Sequence, residues 1–427
     1  MTAPSGRASN RIVILTGNHV CHNPRAYKEA EALSEAGYEV EWLGAWLLPG
    51  LAERDRRLLA GRKWRYTPVT DWTADTRPAR IRRQWQRARR LMGAKWHKHL
   101  RWENVAQLGY CAWELLREAR RRDPQLYIAH SEQALWVADR LQREGRCVGV
   151  DMEDWFSEDP PAVERRERPV HLVKTLERSL LQSAGHLTCT SEAMSRKLQA
   201  TYHCKAPVVV HNAFPWRDRL NIDGQTKDRV DRSVPSVYWF SQVIAPARGL
   251  EDLCAALALL PPDFEVHLRG ALSDGNRRWI EELLPPAWKS RVFLHPVVHN
   301  DELLSRIVEH DIGLAIEPNY PPNKDLTVSN KMLHYLVGGL AVVASDTTGQ
   351  REIAAQAPAA VRIYPSGDAR ALAERLQSLC RAPSELAAAK SAALEVAERK
   401  FCWEKVAPKI IESVRALHAR SEPTVSV

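Results

Sequence analysis

Three stretches of the 427-residue chain gather side chains that could do chemistry. In Asp311–Ile353, a short apolar run (residues 312–316) enters a polar loop, and Ser329-Asn330-Lys331 then opens a helical segment. A Ser/Asn helix start presents backbone N–H groups and the positive end of a helix dipole, so with Lys331 beside it the segment suits an anion. Ordinary helix capping is the alternative. In Tyr238–Leu253, a strand ends in a Ser241-Gln242 loop, and Arg248-Gly249 stands just before a helix. A guanidinium fork at that position matches a diphosphate; a surface arginine or a cap is the alternative. In CVGVDMEDWFSEDPP, Asp151, Glu153 and Asp154 follow directly on a strand, where carboxylates can bind hydroxyls or stabilise developing positive charge. His130, ending the strand before, is a second candidate. The alternatives here are surface acids capping a helix and a satisfied strand-end histidine.

The elements that must hold these residues follow from hydropathy patterning. Short apolar β-type runs alternate with helix-length amphipathic segments, first over 11–43 and 126–210 and again over 236–344. Gly37 closes a first helix beginning near Pro24, as a C′ glycine should. This alternation predicts parallel sheets covered on both faces, in two doubly wound α/β domains. Residues 215–235 are charged, lack a hydrophobic period and read as a linker. Three helical segments finish the chain. In doubly wound sheets ligands bind beyond the carboxyl ends of the strands, which puts the expected site in the cleft between two facing domains.

Several classes are excluded. The chain has no GxGxxG, no GxxxxGK[ST] and no GxSxG, so the usual dinucleotide, P-loop and nucleophile-elbow fingerprints are missing. His97 and His99, two apart in a helix, cannot share a face, and His295/His299 flank a strand end, so no metal site is expected. The eight cysteines form no CxxC pair and read as reduced thiols of a cytoplasmic protein. The polar start MTAPSGRASN carries no signal-peptide core, and no apolar run reaches the ~18 residues of a spanning helix.

Together these segments resemble the C-terminal, nucleotide-sugar-binding half of retaining, family 4-like GT-B glycosyltransferases. The match runs through R-G before a helix and S-N-K-x-x-x-Y-L-x-x-G-L-x-V-V-A-S-D-x-x-G-x-x-E. The N-terminal half agrees through its first strand, the Gly17-Asn18 loop and NPRAYKEAEALSEAGYEVEWL, as does the terminal FCWEKVAPKIIESVRAL. The resemblance implies a loose N-terminus (1–10), an acceptor-side Rossmann-like domain (11–214), the linker (215–235), a nucleotide-sugar-binding domain (236–400), a closing helix (401–419) and a tail (420–427). It further implies transfer from a UDP- or GDP-sugar to a sugar or lipid-linked acceptor hydroxyl, with retention and no required cofactor or metal. Arg248, Ser241, Gln242, Glu317, Ser329, Asn330, Lys331, His334 and Gly17 would bind the donor. Asn18, His19, Arg25 and Asp151 would bind the acceptor, with Glu153, Asp154 and His130 at the chemistry. The chain departs from the family where the E-x7-E pair should stand: His334 and Leu326 occupy those positions, leaving Glu317 as a substitute, and Ser241 replaces a loop glycine. A nucleotide-sugar 2-epimerase or a non-catalytic partner subunit of the same fold are the alternatives.

The net charge of +9 is local. Residues 77–122 hold fourteen Lys/Arg and three Glu, a net of +11, which leaves about −2 for the rest. Within this insert (about 60–122), Ile81, Trp85, Ala88, Met92 and Trp96 form one helical stripe amid arginines. Three readings stay open: a helix packed on its own domain, an anionic membrane surface met through residues about 77–101, and nucleic acid. The last is the least supported, because no RNA- or DNA-binding module accompanies it. The second would place the protein on the inner face of the membrane.

Overall fold

A computed structural model describes residues 10–421, so the first nine residues of the expected N-terminus and the last six of the tail lie outside the described residues. The chain divides into two compact units. Of the described residues, unit 1 comprises 10–190, 195–210 and 407–421, and unit 2 comprises Ser191–Met194 and His211–Val406.

Unit 1 carries β1 (Arg11–Leu15), α1 (Pro24–Glu35), β2 (Glu39–Trp46), α2 (Pro49–Leu59), β3 (Arg65–Asp71), α3 (Arg77–Leu100) and α4 (Ala112–Arg120). After these come β4 (Leu126–Ala129), α5 (Glu132–Arg143), β5 (Val148–Met152), α6 (Val170–Ser183), β6 (His186–Cys189), α7 (Glu192–Tyr202) and β7 (Val208–Val209). The strands form one parallel sheet in the order β3-β2-β1-β4-β5-β6-β7. Ile12 to Leu15 and Leu126 to Ala129 are fully or almost fully buried, as continuous apolar runs must be when helices cover both faces.

Residues 60–122 are woven into this sheet, for β3 is its edge strand and α4 packs beside α5. RYTPVTD lacks a continuous apolar run and contains Pro68, which hides it from a hydropathy reading. An edge tolerates both, since proline forfeits only a ladder bond that faces outward. A register shift opposite Gly44/Ala45 leaves Val69 unpaired and bends the strand.

Unit 2 repeats the plan with β8 (Ser236–Val243), α8 (Leu250–Leu257), β9 (Glu265–Ala271), α9 (Asp274–Leu283), β10 (Val292–His295) and α10 (Asn300–Ile307). It continues with β11 (Ile312–Ala315), α11 (Pro322–Leu326), α12 (Asn330–Gly338), β12 (Ala341–Ser345), α13 (Thr348–Gln356), β13 (Val361–Tyr364), α14 (Ala369–Arg381) and α15 (Pro383–Val396). Its parallel sheet runs β10-β9-β8-β11-β12-β13 between two apolar clusters, one on each face. A last helix, α16 (Trp403–Ser421), ends the described chain. Residues 223–235 do not stand apart from unit 2: Arg229 pairs with Asp311 at 3.0 Å and Asp231 N–H donates to Glu265 at 2.7 Å. No helix among the described residues is long and apolar enough to cross a membrane.

In each sheet the strand order reverses once, between β1 and β4 and between β8 and β11. Loops leaving adjacent strands diverge there, which opens a crevice at the carboxyl ends. The predicted residues fall largely on those loops.

Candidate functional site

At the first reversal the charged side chains pair with one another. Arg25, one residue into α1 behind Pro24, is buried; its Nε and Nη2 donate to Asp151 at 2.5 and 2.8 Å, and Nη1 to the Val210 carbonyl at 2.6 Å. Asp151 also accepts from Thr188 Oγ1 at 2.6 Å. His130 lies between two carboxylates, Nε2 2.6 Å from Glu29 and Nδ1 3.1 Å from Asp151. Burial opposes charge on that imidazole, but Glu29 and Asp151 outweigh it and push its pKa up to about 10. Burial likewise opposes charge on Glu29, yet His130 and His186 bring its pKa down to about 2. His130 is therefore a buried cation at neutral pH and cannot accept a proton as a base. Glu29, His130 and Asp151 offer metal-ligating atoms within 4.8 Å of one another, but both ring nitrogens of His130 already face carboxylates and Arg25 balances the remaining charge.

Glu153 is different. It sits half-buried just past β5, and burial, reinforced by the neighbouring Asp154 charge, raises its pKa to about 7. Glu153 thus titrates in the neutral range, where proton exchange is efficient.

The loop after β1 holds the remaining acceptor-side residues. His19 is buried; Nδ1 meets Asp55 at 2.8 Å, while Nε2 accepts from the N–H groups of Leu47 and Leu48 at 2.9 and 3.0 Å. Both ring nitrogens are thus engaged in fixing the loop, and the tautomer is set with the proton on Nδ1. Asn18 is exposed. Gly17 is required by a close approach: a Cβ there would lie 1.6 Å from Gln133 Nε2.

The second reversal is more open. Arg248 is exposed and donates to Ser241 Oγ at 3.0 Å, while Gln242 is also exposed. No carboxylate among the described residues pairs with Arg248. Gly249 follows at φ +80°, and a Cβ on it would meet the Ile316 carbonyl at 2.1 Å. That contact holds the Arg248 loop against the end of β11, beside Glu317.

Glu317 collects the polar groups of that end. It pairs with Lys331, accepts from Ser329 Oγ at 2.9 Å, and its own N–H donates to Ser345 Oγ at 2.8 Å. Burial opposes its charge, but Lys331 and then Lys324 bring its pKa to about 2, so it stays ionised. Because Ser329 Oγ turns to Glu317, it makes no capping bond to α12. The first-turn N–H groups of α12 therefore lack their side-chain cap. Asn330 is exposed in that turn. The neighbouring α13 is closed instead: Thr347 Oγ1 accepts from Gln350 N–H at 3.3 Å, and Asp325 accepts from Thr348 N–H at 3.0 Å. His334 is buried, stacked on Phe214 with ring centres 3.8 Å apart and edge-on to Phe240 at 5.8 Å. An aromatic slot of this kind suits imidazole and would penalise a carboxylate.

Sequence reading missed Glu29, Thr188, Asp55 and Ser345. Only Glu29 carried a local signal, four residues after Arg25 on one face of α1.

No protein-family model matches the chain, and no curated protein matches it in sequence. Solved structures match in fold. A sucrose-phosphate synthase from Thermosynechococcus elongatus superposes with a TM-score of 0.69 at 16% identity, covering 96% of this chain and 100% of that one. HepE of Anabaena, solved with UDP-glucose, gives 0.65 at 12% identity, with 95% and 99% covered. A candidate UDP-N-acetylglucosamine 2-epimerase from Listeria monocytogenes gives 0.57 at 10% identity, with 98% and 100% covered. The chain has the GT-B fold of two Rossmann-like domains.

Proposed function

We propose that the protein is a glycosyltransferase that moves a sugar from a nucleoside-diphosphate sugar, UDP- or GDP-linked, to an acceptor hydroxyl with retention. The observation that carries this reading is the β8/β11 crevice: an exposed guanidinium and an uncapped helix start, Arg248 and α12, both held against the end of β11. Both act on negative charge, and a leaving diphosphate is where negative charge grows during transfer. The solved structure of HepE with UDP-glucose supports a donor of this class.

In this reading Arg248, Lys331 and the α12 amides stabilise the departing diphosphate, with protein cations in the role a metal would otherwise fill. Ser241, Gln242 and Asn330 contact the donor, with His334 as the candidate partner of its ribose. Glu317 holds Lys331 in place until the diphosphate competes for it. The diphosphate takes the acceptor proton on the same face of the sugar, which preserves the anomeric configuration. Glu153 and Asp154 bind the acceptor hydroxyl, and Asn18 borders it; Arg25, Asp151, His19 and His130 position that surface. The subtype is a family 4-like hexosyltransferase, cytoplasmic, serving polysaccharide or glycolipid assembly at an anionic membrane face reached through residues about 77–101.

Thermal shift and calorimetry with UDP, GDP and their sugars test the donor site. Stabilisation by a nucleoside diphosphate is expected, and its absence at millimolar concentration overturns the reading. The fold shared with an epimerase supports a second reading, release of UDP and an epimerised sugar without any acceptor. Products formed with and without acceptor sugars separate the two, and nucleotide binding without any turnover would identify a non-catalytic subunit.

A further inference from the structure

Helix α3 is amphipathic the wrong way round for a helix packed on its own domain. Its inward face is polar: Gln86 accepts from Trp72 Nε1 at 2.6 Å and donates to Thr70 at 3.0 Å, and His97 Nε2 lies 3.0 Å from the Arg166 carbonyl. Gly93 lets Asn104 approach so closely that a Cβ would meet its Oδ1 at 2.5 Å. The apolar stripe faces away. Ile81 is 67% exposed, Trp85 60% and Leu100 67%, with Met92 and Trp96 also exposed between them. Trp102, just past the helix, stacks on Trp96 with ring centres 5.5 Å apart.

The same outward surface is cationic. Arg80, Arg87, Lys95 and Lys98 are exposed, though the Arg87 guanidinium lies over the Trp72 ring 5.0 Å from its centre, and α3 contains no acidic residue. Among the described residues only Arg80 of these four has a carboxylate partner, Asp75 at 3.6 Å.

We infer that this face of α3 docks on an anionic lipid surface, with Ile81, Trp85, Met92, Trp96 and Leu100 entering the headgroup–acyl boundary and the flanking Arg and Lys meeting lipid phosphates. Charge and shape choose this occupant. A second copy would oppose like charges along the whole helix. A single nucleic-acid strand would use the tryptophans but gives Ile81, Met92 and Leu100 no base-like partner. A lipid boundary takes aliphatic and aromatic side chains together and attracts cations beside them. At ~1.5 Å per residue the helix is long enough to lie in the interface, while its charge forbids crossing. The proposal rests on the glycolipid reading above for its purpose only, since the face is defined without reference to sugar transfer.

The test is co-sedimentation of the full chain with vesicles of phosphatidylcholine, with and without phosphatidylglycerol, in the absence of nucleotide sugar. Binding that requires phosphatidylglycerol and weakens with salt is expected. An R80Q/K95Q/K98Q variant should bind on the order of 100-fold more weakly, and I81S/W85S/W96S should lose binding to the same vesicles. All six positions are exposed, so unchanged thermal melting and unchanged UDP affinity should accompany both losses. Binding indifferent to lipid charge, no binding at all, or full binding by both variants overturns the proposal. A concentration-dependent dimer, or oligonucleotide binding, lost in I81S/W85S/W96S without vesicle binding by the parent also overturns it. Failure of sugar transfer leaves these readouts untouched.

Discussion

At the β1/β4 reversal Arg25, Asp151, His130 and Glu29 are buried and ion-paired with one another, whereas at the β8/β11 reversal Arg248 is exposed and α12 lacks its side-chain cap. One strand topology has produced a closed charge network in one unit and, in the other, a loop end with an exposed guanidinium and a helix start without a side-chain cap. Topology brings loops together; what those loops do depends on whether their charges are matched within the protein. Matched buried charges fix geometry, and unmatched exposed ones are available to a ligand.

The largest effects should come from breaking the closed network. Asp151→Asn strands Arg25 and His130 in a buried setting, and losing one partner of a buried pair typically costs about 3–5 kcal/mol. Denaturant unfolding should show that loss, and a cost under about 1 kcal/mol would mean that the network is not a structural unit. The same network sets a pH dependence. His130 has a folded pKa of about 10, above its usual 6.5, so the stability it contributes is full below about 6.5 and disappears as pH rises through about 10. Glu29, at about 2 against a usual 4.5, contributes stability that is lost as pH falls from 4.5 through about 2. Stability curves for His130→Gln should be flatter than those of the parent across the alkaline window. An unchanged alkaline slope would place that titration elsewhere.

Gly249→Ala is next, and it acts on the open crevice. The new Cβ would strike the Ile316 carbonyl and sit at φ +80°. Overpacking of ~1–3 kcal/mol and left-handed strain of ~1–2 kcal/mol should both appear in unfolding measurements. Displacing the loop should weaken nucleotide binding as well. A variant with parental stability and affinity would show that the loop relaxes freely and does not position Arg248.

How these two regions read from sequence differs for a physical reason. Buried parallel strands must be continuous apolar runs, so β1, β4, β5, β8, β11 and β12 were all visible, and so was the double α/β plan. β3 was not, because an edge strand escapes that demand. Arg248, Ser329 and Lys331 were visible as a helix-start pattern, yet nothing local showed that Ser329 would turn from its cap to Glu317, twelve residues away in sequence. Nor could spacing alone reveal that the α3 stripe faces outward, since packing and docking helices share one periodicity. Partners distant in sequence decided each of these cases.

Arg248→Ala sharpens the contrast directly. As an exposed residue it should leave stability within about 0.5 kcal/mol, while losing a charge-assisted contact should weaken nucleoside-diphosphate binding by ~1.5–3 kcal/mol. Calorimetry on folded protein reads this as a fall of roughly ten- to 150-fold. Equal affinity would remove Arg248 from the site and leave α12 to carry the anion.

The smallest effect is the finest probe of the open crevice. Thr347 caps α13 in the ordinary manner, so Thr347→Ala should cost about 1 kcal/mol of stability. Ser329 holds the equivalent place before α12 but spends its hydroxyl on Glu317, so Ser329→Ala should cost less than Thr347→Ala. Without that hydroxyl Glu317 keeps Lys331 as its partner, and diphosphate affinity should fall by less than it does in Arg248→Ala. Paired unfolding curves decide the matter. If Ser329→Ala proves as destabilising as Thr347→Ala, the hydroxyl caps α12 in solution, its amides are already occupied, and the anion site contracts to Arg248 and Lys331.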